Sequence, residues 1–186
     1  PNAVSADLAY MLSNNNKTVT VYSNWDGATA TPVIPQTGKY YWEFHITDFS
    51  IIWTISPNQD MGTFASQQPG AYGSRLDNGT RIENSSEIHT SAIMEAWGAP
   101  GNFYNEANKT IGVAYDADNG TLAQYWNGNL INTLSGVPAA DYYIHMSTSS
   151  GGSGKSVTIA FAQTDWNQTP PAGFESLDTE SVSNPA

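Results

Sequence analysis

The sequence predicts an all-β protein, a two-sheet antiparallel β-sandwich with little helix. Three observations carry this. Apolar residues alternate with polar ones at period two in at least five segments, Gly, Asn, Asp or Pro bounds each segment, and no stretch sustains a 3.6-residue period. Many short strands separated by turn signals close into a sandwich of antiparallel sheets. A chain of 186 residues fits one such domain. It buries about 70% of its unfolded surface on folding, so it needs no disulfide or metal to hold it.

The elements follow in order. Val19 and Val21 alternate with Thr18, Thr20 and Tyr22. From Lys39 onward, Tyr40, Trp42, Phe44 and Ile46 face one way, and Tyr41, Glu43, His45 and Thr47 the other. That is a strand with the core on one face and water or a second layer on the other. Ile51 to Ile55 is a short apolar run. The stretches Ser56 to Thr90 and Ser149 to Lys155 are poor in pattern and read as long loops, and Ile88 to Trp97 as one or two helical turns. Ile111, Val113 and Tyr115 then alternate, as do Leu122, Gln124 and Trp126. Asp118-Asn119-Gly120 joins these two strands and Asn127-Gly128 closes the second, because Asn and Gly accept positive φ at small cost. Val157, Ile159 and Phe161 form the last alternating run, which Pro170-Pro171 terminates. Trp42, Phe44, Ile111, Val113, Trp126, Ile159 and Phe161 are the expected shared core. Residues 1–177 read as a single domain and 178–186 as a polar tail.

Composition narrows the function classes. Seventeen acidic and six basic residues give a net charge of −11, which repels nucleic acid phosphates. No stretch approaches the ~20 apolar residues of a membrane helix, so membrane insertion is not expected. The absence of cysteine excludes disulfides and thiolate metal sites. Pro1-Asn2-Ala3-Val4-Ser5 lacks the basic and apolar regions of a signal peptide, and Pro1 suits a chain whose initiator methionine was removed. Sequons at Asn16, Asn78, Asn84, Asn108, Asn119 and Asn167 are expected by chance in a chain this rich in Asn and Thr.

The chemistry-bearing residues do not assemble into a catalytic pattern. Asp116 to Thr121 begins like a calcium loop, but such a loop needs glycine sixth and glutamate twelfth, where this chain has Thr121 and Asn127. A glycosidase needs two carboxylates about 5–10 Å apart. The strand Lys39 to Thr47 carries Glu43 alone, Asp116 and Asp118 sit at a turn, and Glu83 and Glu87 sit in a predicted loop. His45, His89 and His145 have no metal-ligand spacing. No nucleophile elbow or phosphate-binding glycine loop occurs. The expectation is therefore a protein without catalytic residues, metal or cofactor. Aromatics are more informative. Trp25, Tyr72, Trp97, Phe103 and Tyr104 fall in or beside predicted loops, where they either pin the loop to the sandwich or meet a partner. Arg75 and Arg81 are positive spots on an acidic chain. Tyr72, Arg75, Arg81, Trp97, Phe103 and Tyr104 are the candidate partner-binding residues.

Over most of its length the chain resembles a SPRY domain, a concanavalin-like β-sandwich. The likeness starts in Gly38-Lys39-Tyr40-Tyr41-Trp42-Glu43-Phe44 and continues in Ala71-Tyr72-Gly73-Ser74 and Asn78-Gly79. It is most specific in Ile111 to Leu122, followed by Tyr125-Trp126-Asn127-Gly128. The ending, Val157 to Gln163 and then Thr169-Pro170-Pro171-Ala172-Gly173-Phe174-Glu175-Ser176-Leu177-Asp178-Thr179, is similar to that of SPRY domains encoded by tailed bacteriophages. Between Ser50 and Gly70 the chain departs from the family pattern. The resemblance implies a non-enzymatic interaction module that binds through loops. It also implies a bacteriophage virion protein, a decoration or appendage at the virion surface assembled in the bacterial cytoplasm. Its partners would be other capsid or tail proteins, a host-surface glycan or protein, or further copies of itself. The alternatives are a lectin-like carbohydrate-binding domain for host attachment and a cellular SPRY adaptor that captures a peptide. Fold analogy alone does not choose among them.

Overall fold

The computed structural model describes residues 10–13, 17–21, 27–47, 51–59, 65–76, 79–89, 110–148 and 155–177, with the side chains of 10–13, 21, 27, 31, 89 and 148 left aside. These residues form strands β1 (Tyr10–Ser13), β2 (Thr18–Val21), β3 (Gly27–Ile34), β4 (Lys39–Ile46), β5 (Ile51–Ser56), β6 (Tyr72–Arg75), β7 (Thr80–Glu83), β8 (Ser86–His89), β9 (Thr110–Asp116), β10 (Thr121–Trp126), β11 (Asn129–Ser135), β12 (Tyr142–Thr148), β13 (Lys155–Ala160) and β14 (Glu175–Ser176). Two 3-10 turns, Ala65–Gln67 and Gln163–Asp165, complete the described elements, and none of them is an α-helix.

The strands build two sheets. Sheet A runs β1-β2-β13-β4-β9-β10-β11, with β14 added in parallel to β4, and sheet B runs β3-β12-β5-β6-β7-β8. Apart from β14, every pairing is antiparallel. The two inner faces close on one core, as an aligned sandwich does. Sheet A contributes Trp42, Phe44, Ile111, Val113, Tyr115, Leu122, Trp126, Val157 and Ile159, and sheet B contributes Ile34, Trp53, Ile55, Tyr142, Ile144 and Met146. Phe44 meets Trp53 at 5.6 Å between ring centroids, and Tyr115 meets Tyr142 edge-on at 5.7 Å. Ser74 of β6 donates across the sandwich to Oε1 of Gln124 on β10, so both polar residues sit in the core.

The hairpins follow the turn chemistry. Asn119 donates its backbone N–H and its side-chain amide to the Asp116 carboxylate, at 3.1 and 2.8 Å, closing the β9–β10 turn. Asn127 and Gly128 both take positive φ, +45° and +85°, as a tight two-residue β10–β11 turn requires.

Four expectations are corrected. The stretch from Ser56 to Thr90 is not one loop: it holds β6, β7 and β8. Its alternation was hidden because these strands are four residues long and Gly73 interrupts the first. Ile88 belongs to β8 rather than to a helical turn, and the rest of Ile88 to Trp97 beyond His89 lies outside the described residues. Phe161 lies just past the end of β13 and is half-buried against the core, whereas the other six expected core residues are buried. Pro170-Pro171 does not end β13, which stops at Ala160. The prolines belong to a segment, 161–177, that turns back across the outside of sheet A and pairs β14 with β4.

That segment explains why β4 and β9 are buried on both faces. On β4, Tyr41 and Glu43 point outward yet are as buried as Trp42 and Phe44. In the same way β5 is buried throughout, because residues 65–71 cover its outer side. There Thr54 Oγ1 donates to the Ala65 carbonyl at 3.0 Å, Ser56 Oγ donates to that of Pro69 at 2.9 Å, and Ile52, Ala65, Ala71 and Ile82 form a small second cluster.

Candidate functional site

The three candidate partner-binding residues among the described residues, Tyr72, Arg75 and Arg81, do not converge. Tyr72 is on β6 with its ring in the main core, beside Tyr115 and Tyr142, so it is a packing residue rather than a loop aromatic. Burial pushes the Tyr115 phenol up to about 12, with Asp116 and Tyr72 adding to the rise. Arg75 and Arg81 lie on opposite faces of sheet B. Arg81 stands opposite Ser74 on the inner face, and Arg75 stands opposite Ile52 on the outer. Each already faces an acid: Arg75 Nη1 lies 3.6 Å from Glu87, and Arg81 Nε lies 2.8 Å from Glu83. Trp97, Phe103 and Tyr104 lie outside the described residues, as do Trp25, the 149–154 stretch and the 178–186 tail.

The carboxylates of the β9–β10 turn are committed to the turn itself. Burial opposes ionisation of Asp116, but hydrogen bonds from Asn119 and Lys39 outweigh it and hold the carboxyl below its ordinary value. Lys39 Nζ sits 2.9 Å from it. Asp118 Oδ1 accepts the Gly38 N–H at 3.0 Å, which ties this turn to the start of β4. The residues that begin like a calcium loop thus spend their oxygens on the hairpin and its neighbour.

A cluster not anticipated from the sequence forms on the outer face of sheet A around Glu43, which is fully buried. Its Oε1 accepts from the Tyr41 hydroxyl at 3.0 Å and from the Gln168 N–H at 2.8 Å. Its Oε2 accepts from the Asn167 N–H at 2.7 Å and lies 2.8 Å from His45 Nε2. Burial, reinforced by the charge and hydrogen bond of Glu43, raises the Tyr41 phenol far above its ordinary value, so it remains a donor. Trp166 stacks edge-on against Tyr41 at 4.8 Å and donates its Nε1–H to the Ala160 carbonyl at 3.1 Å. Lys17 pairs with Asp165, and Leu177 seats in the core. Chemically this is a clasp: the carboxylate binds two backbone N–H groups of the returning segment and fixes 161–177 to β4. The sequence signal was Glu43 itself, an acid on the outer face of a strand whose second layer had no identified occupant.

Gly112 is part of the clasp. It stands opposite Glu43 in the β4–β9 register, and a Cβ there would lie 2.3 Å from the Tyr41 hydroxyl. Gly112→Ala is expected to displace the Tyr41 ring and lower stability by about 1–3 kcal/mol in urea denaturation, the usual range for overpacking a filled site. Unchanged stability would show that Tyr41 has room to move.

The two described histidine side chains are on opposite outer faces. His45 joins the Glu43 clasp on sheet A. His145, on sheet B, is fully buried, with Nδ1 2.9 Å from Thr29 Oγ1 and Nε2 2.8 Å from the Asn58 carbonyl. A carbonyl only accepts, so Nε2 carries the proton and Nδ1 accepts from Thr29 in the neutral ring.

Comparison with known proteins places this architecture. No family model and no curated protein matches the sequence. Solved structures do match. The SPRY domain of human HERC1 superposes with a TM-score of 0.62 at 17% identity, over 83% of this chain and 93% of that one. The PSpry domain of TRIM65 gives 0.62 at 18% identity, over 85% and 89%. A human SPRY domain gives 0.57 at 12% identity, over 81% and 94%. At these identities the likeness is one of fold: the chain is a two-sheet antiparallel β-sandwich of the SPRY, concanavalin-like type.

Proposed function

We propose that this domain is a non-enzymatic protein-binding module of a bacteriophage virion, a decoration or appendage protein at the particle surface. The observation that supports a non-enzymatic reading is how polar side chains are used among the described residues. Glu43, Asp116 and His145 are each engaged by neighbouring strands or segments and hold the sandwich together. The SPRY-type architecture supports the same reading, as a rigid frame that carries variable loops. The virion part rests on sequence: the Thr169 to Thr179 ending is similar to that of SPRY domains encoded by tailed bacteriophages. Of the six candidate partner-binding residues, Tyr72 is in the core and Arg75 and Arg81 lie on opposite faces of sheet B.

The test is mass spectrometry of gradient-purified phage particles from cells that express the chain. Its peptides are expected at a stoichiometry matching a repeated structural protein. Particles that lack it, alongside soluble chain in the same lysate, would reject the virion reading and leave a cellular adaptor.

A further inference from the structure

The inner faces of the two sheets meet in a row that is short of hydrogen-bond acceptors. In sheet A, Trp42, Val113 and Gln124 stand in cross-strand register. In sheet B, Met146, Trp53, Ser74 and Arg81 do the same. The two rows are joined where Ser74 Oγ donates to Gln124 Oε1. Trp42, Trp53, Ser74 and Gln124 are each at most 2% exposed. Yet Trp42 Nε1, Trp53 Nε1 and Gln124 Nε2 have no hydrogen-bond partner among the described residues. Buried N–H groups are nearly always bonded, to protein or to an ordered water, because a dry one has lost its hydration with nothing in return.

Turning the Gln124 amide over does not remove the mismatch. Gln124 brings two N–H hydrogens, Ser74 one O–H and each indole one N–H, and only Gln124 Oε1 and Ser74 Oγ accept. Exchanging the amide O and N would give Ser74 a donor and strand its own hydroxyl hydrogen. The mismatch also falls where water fits. A buried site admits water where it is polar and roomy, and Ser74 is a short polar side chain set between Trp53 and Arg81.

We propose that an ordered water is built into the core at this point, held between the sheets by Gln124, Trp53 and Ser74. Its oxygen accepts from Gln124 Nε2 and Trp53 Nε1. One of its hydrogens goes to Ser74 Oγ, whose own hydrogen is already given to Gln124. These are the roughly three bonds that a buried water makes. The register supports the grouping, because the serine that Gln124 reaches is the cross-strand neighbour of Trp53. The occupant is neutral. Arg81, the charged residue of the two rows, already lies 2.8 Å from Glu83, so an anion here would be buried without a free counter-charge, which costs far more than seating a water. The water then ties β5 and β6 of one sheet to β10 of the other.

High-resolution crystallography and NMR of the whole chain test this. Density for one water is expected between the sheets, within hydrogen-bond distance of Gln124 Nε2 and Trp53 Nε1. In solution the Trp53 indole proton, assigned from the signal lost in Trp53→Phe, is expected to show a nuclear Overhauser cross-peak to water. Ser74→Val fills the place with methyl groups and is expected to abolish that cross-peak in a chain whose circular dichroism is unchanged. If that variant does not fold, the wild-type density decides. A core without water density overturns the proposal whatever the cross-peak, since a hydroxyl proton in exchange with solvent also gives one. An indole bonded directly to Gln124 Oε1 overturns it as well. So does a cross-peak that survives Ser74→Val, or an anomalous peak at the site in bromide-soaked crystals, which would make the occupant an anion.

Discussion

Glu43→Ala is expected to destabilise the domain by about 3–5 kcal/mol, the cost of removing one side of a buried charged network. The carboxylate has no exposed surface, and two of its donors are backbone N–H groups, of Asn167 and Gln168. When it is removed, Tyr41 and His45 can rotate or exchange tautomers, but the two backbone donors stay where the chain puts them. A buried N–H without an acceptor costs about 1–3 kcal/mol, and two of them account for most of the expected loss. Glu43→Gln separates charge from shape. Its amide nitrogen must take the place of one oxygen and face a backbone N–H, donor against donor, so it is expected to cost about 1–3 kcal/mol despite its matching size. Urea denaturation gives the magnitudes. Hydrogen exchange locates them: protection is expected to fall first at residues 166–168 and 175–177, while β9 and β10 keep theirs. A loss below about 1 kcal/mol for Glu43→Ala would mean that 161–177 holds its place by packing alone.

The sandwich was legible in the sequence where strands carry one polar face. In β10, Leu122, Gln124 and Trp126 point inward and alternate with half-buried neighbours, and the two Asn-Gly turns fall where the backbone needs positive φ. Period two conveys less where a second layer covers the outer face. In β4 the outward residues Tyr41 and Glu43 are buried too, and nothing local to Glu43 reveals that its ligands come from residues 124 and 125 positions later. The strand that holds two of the candidate site residues, Tyr72 and Arg75, is hard to see for a related reason. A four-residue strand shows barely two turns of alternation, and Gly73 removes one of its side chains. Arg75 and Arg81 lie six positions apart in the sequence. The register sets Arg81 opposite Ser74, one residue out of step with Arg75, and a step of one reverses the face.

Stability is expected to fall as the solution is acidified from pH 7 to pH 4, with His145 contributing about 3 kcal/mol of that fall. Burial lowers this imidazole from 6.5 to about 4, against a smaller opposing effect of its hydrogen bond to the Asn58 carbonyl. Its folded pKa lies below its unfolded one, so between the two values the unfolded chain binds the extra proton. The contribution is therefore complete above pH 6.5, declines by about 1.4 kcal/mol for each pH unit below it, and is exhausted near pH 4. Carboxylates add their own acid dependence, so the measurement is a difference. Urea denaturation of the wild type and of His145→Gln, which cannot titrate there, is compared from pH 7.5 to pH 4 at fixed salt. The variant is less stable at neutral pH, because Thr29 and Asn58 lose the imidazole that joins β3 to the segment after β5. As pH falls, the gap is expected to narrow, and His145→Gln to draw level with or pass the wild type near pH 4. Parallel curves throughout would show that His145 takes up its proton at the same pH folded and unfolded, with no buried neutral ring at the β3–β12 junction.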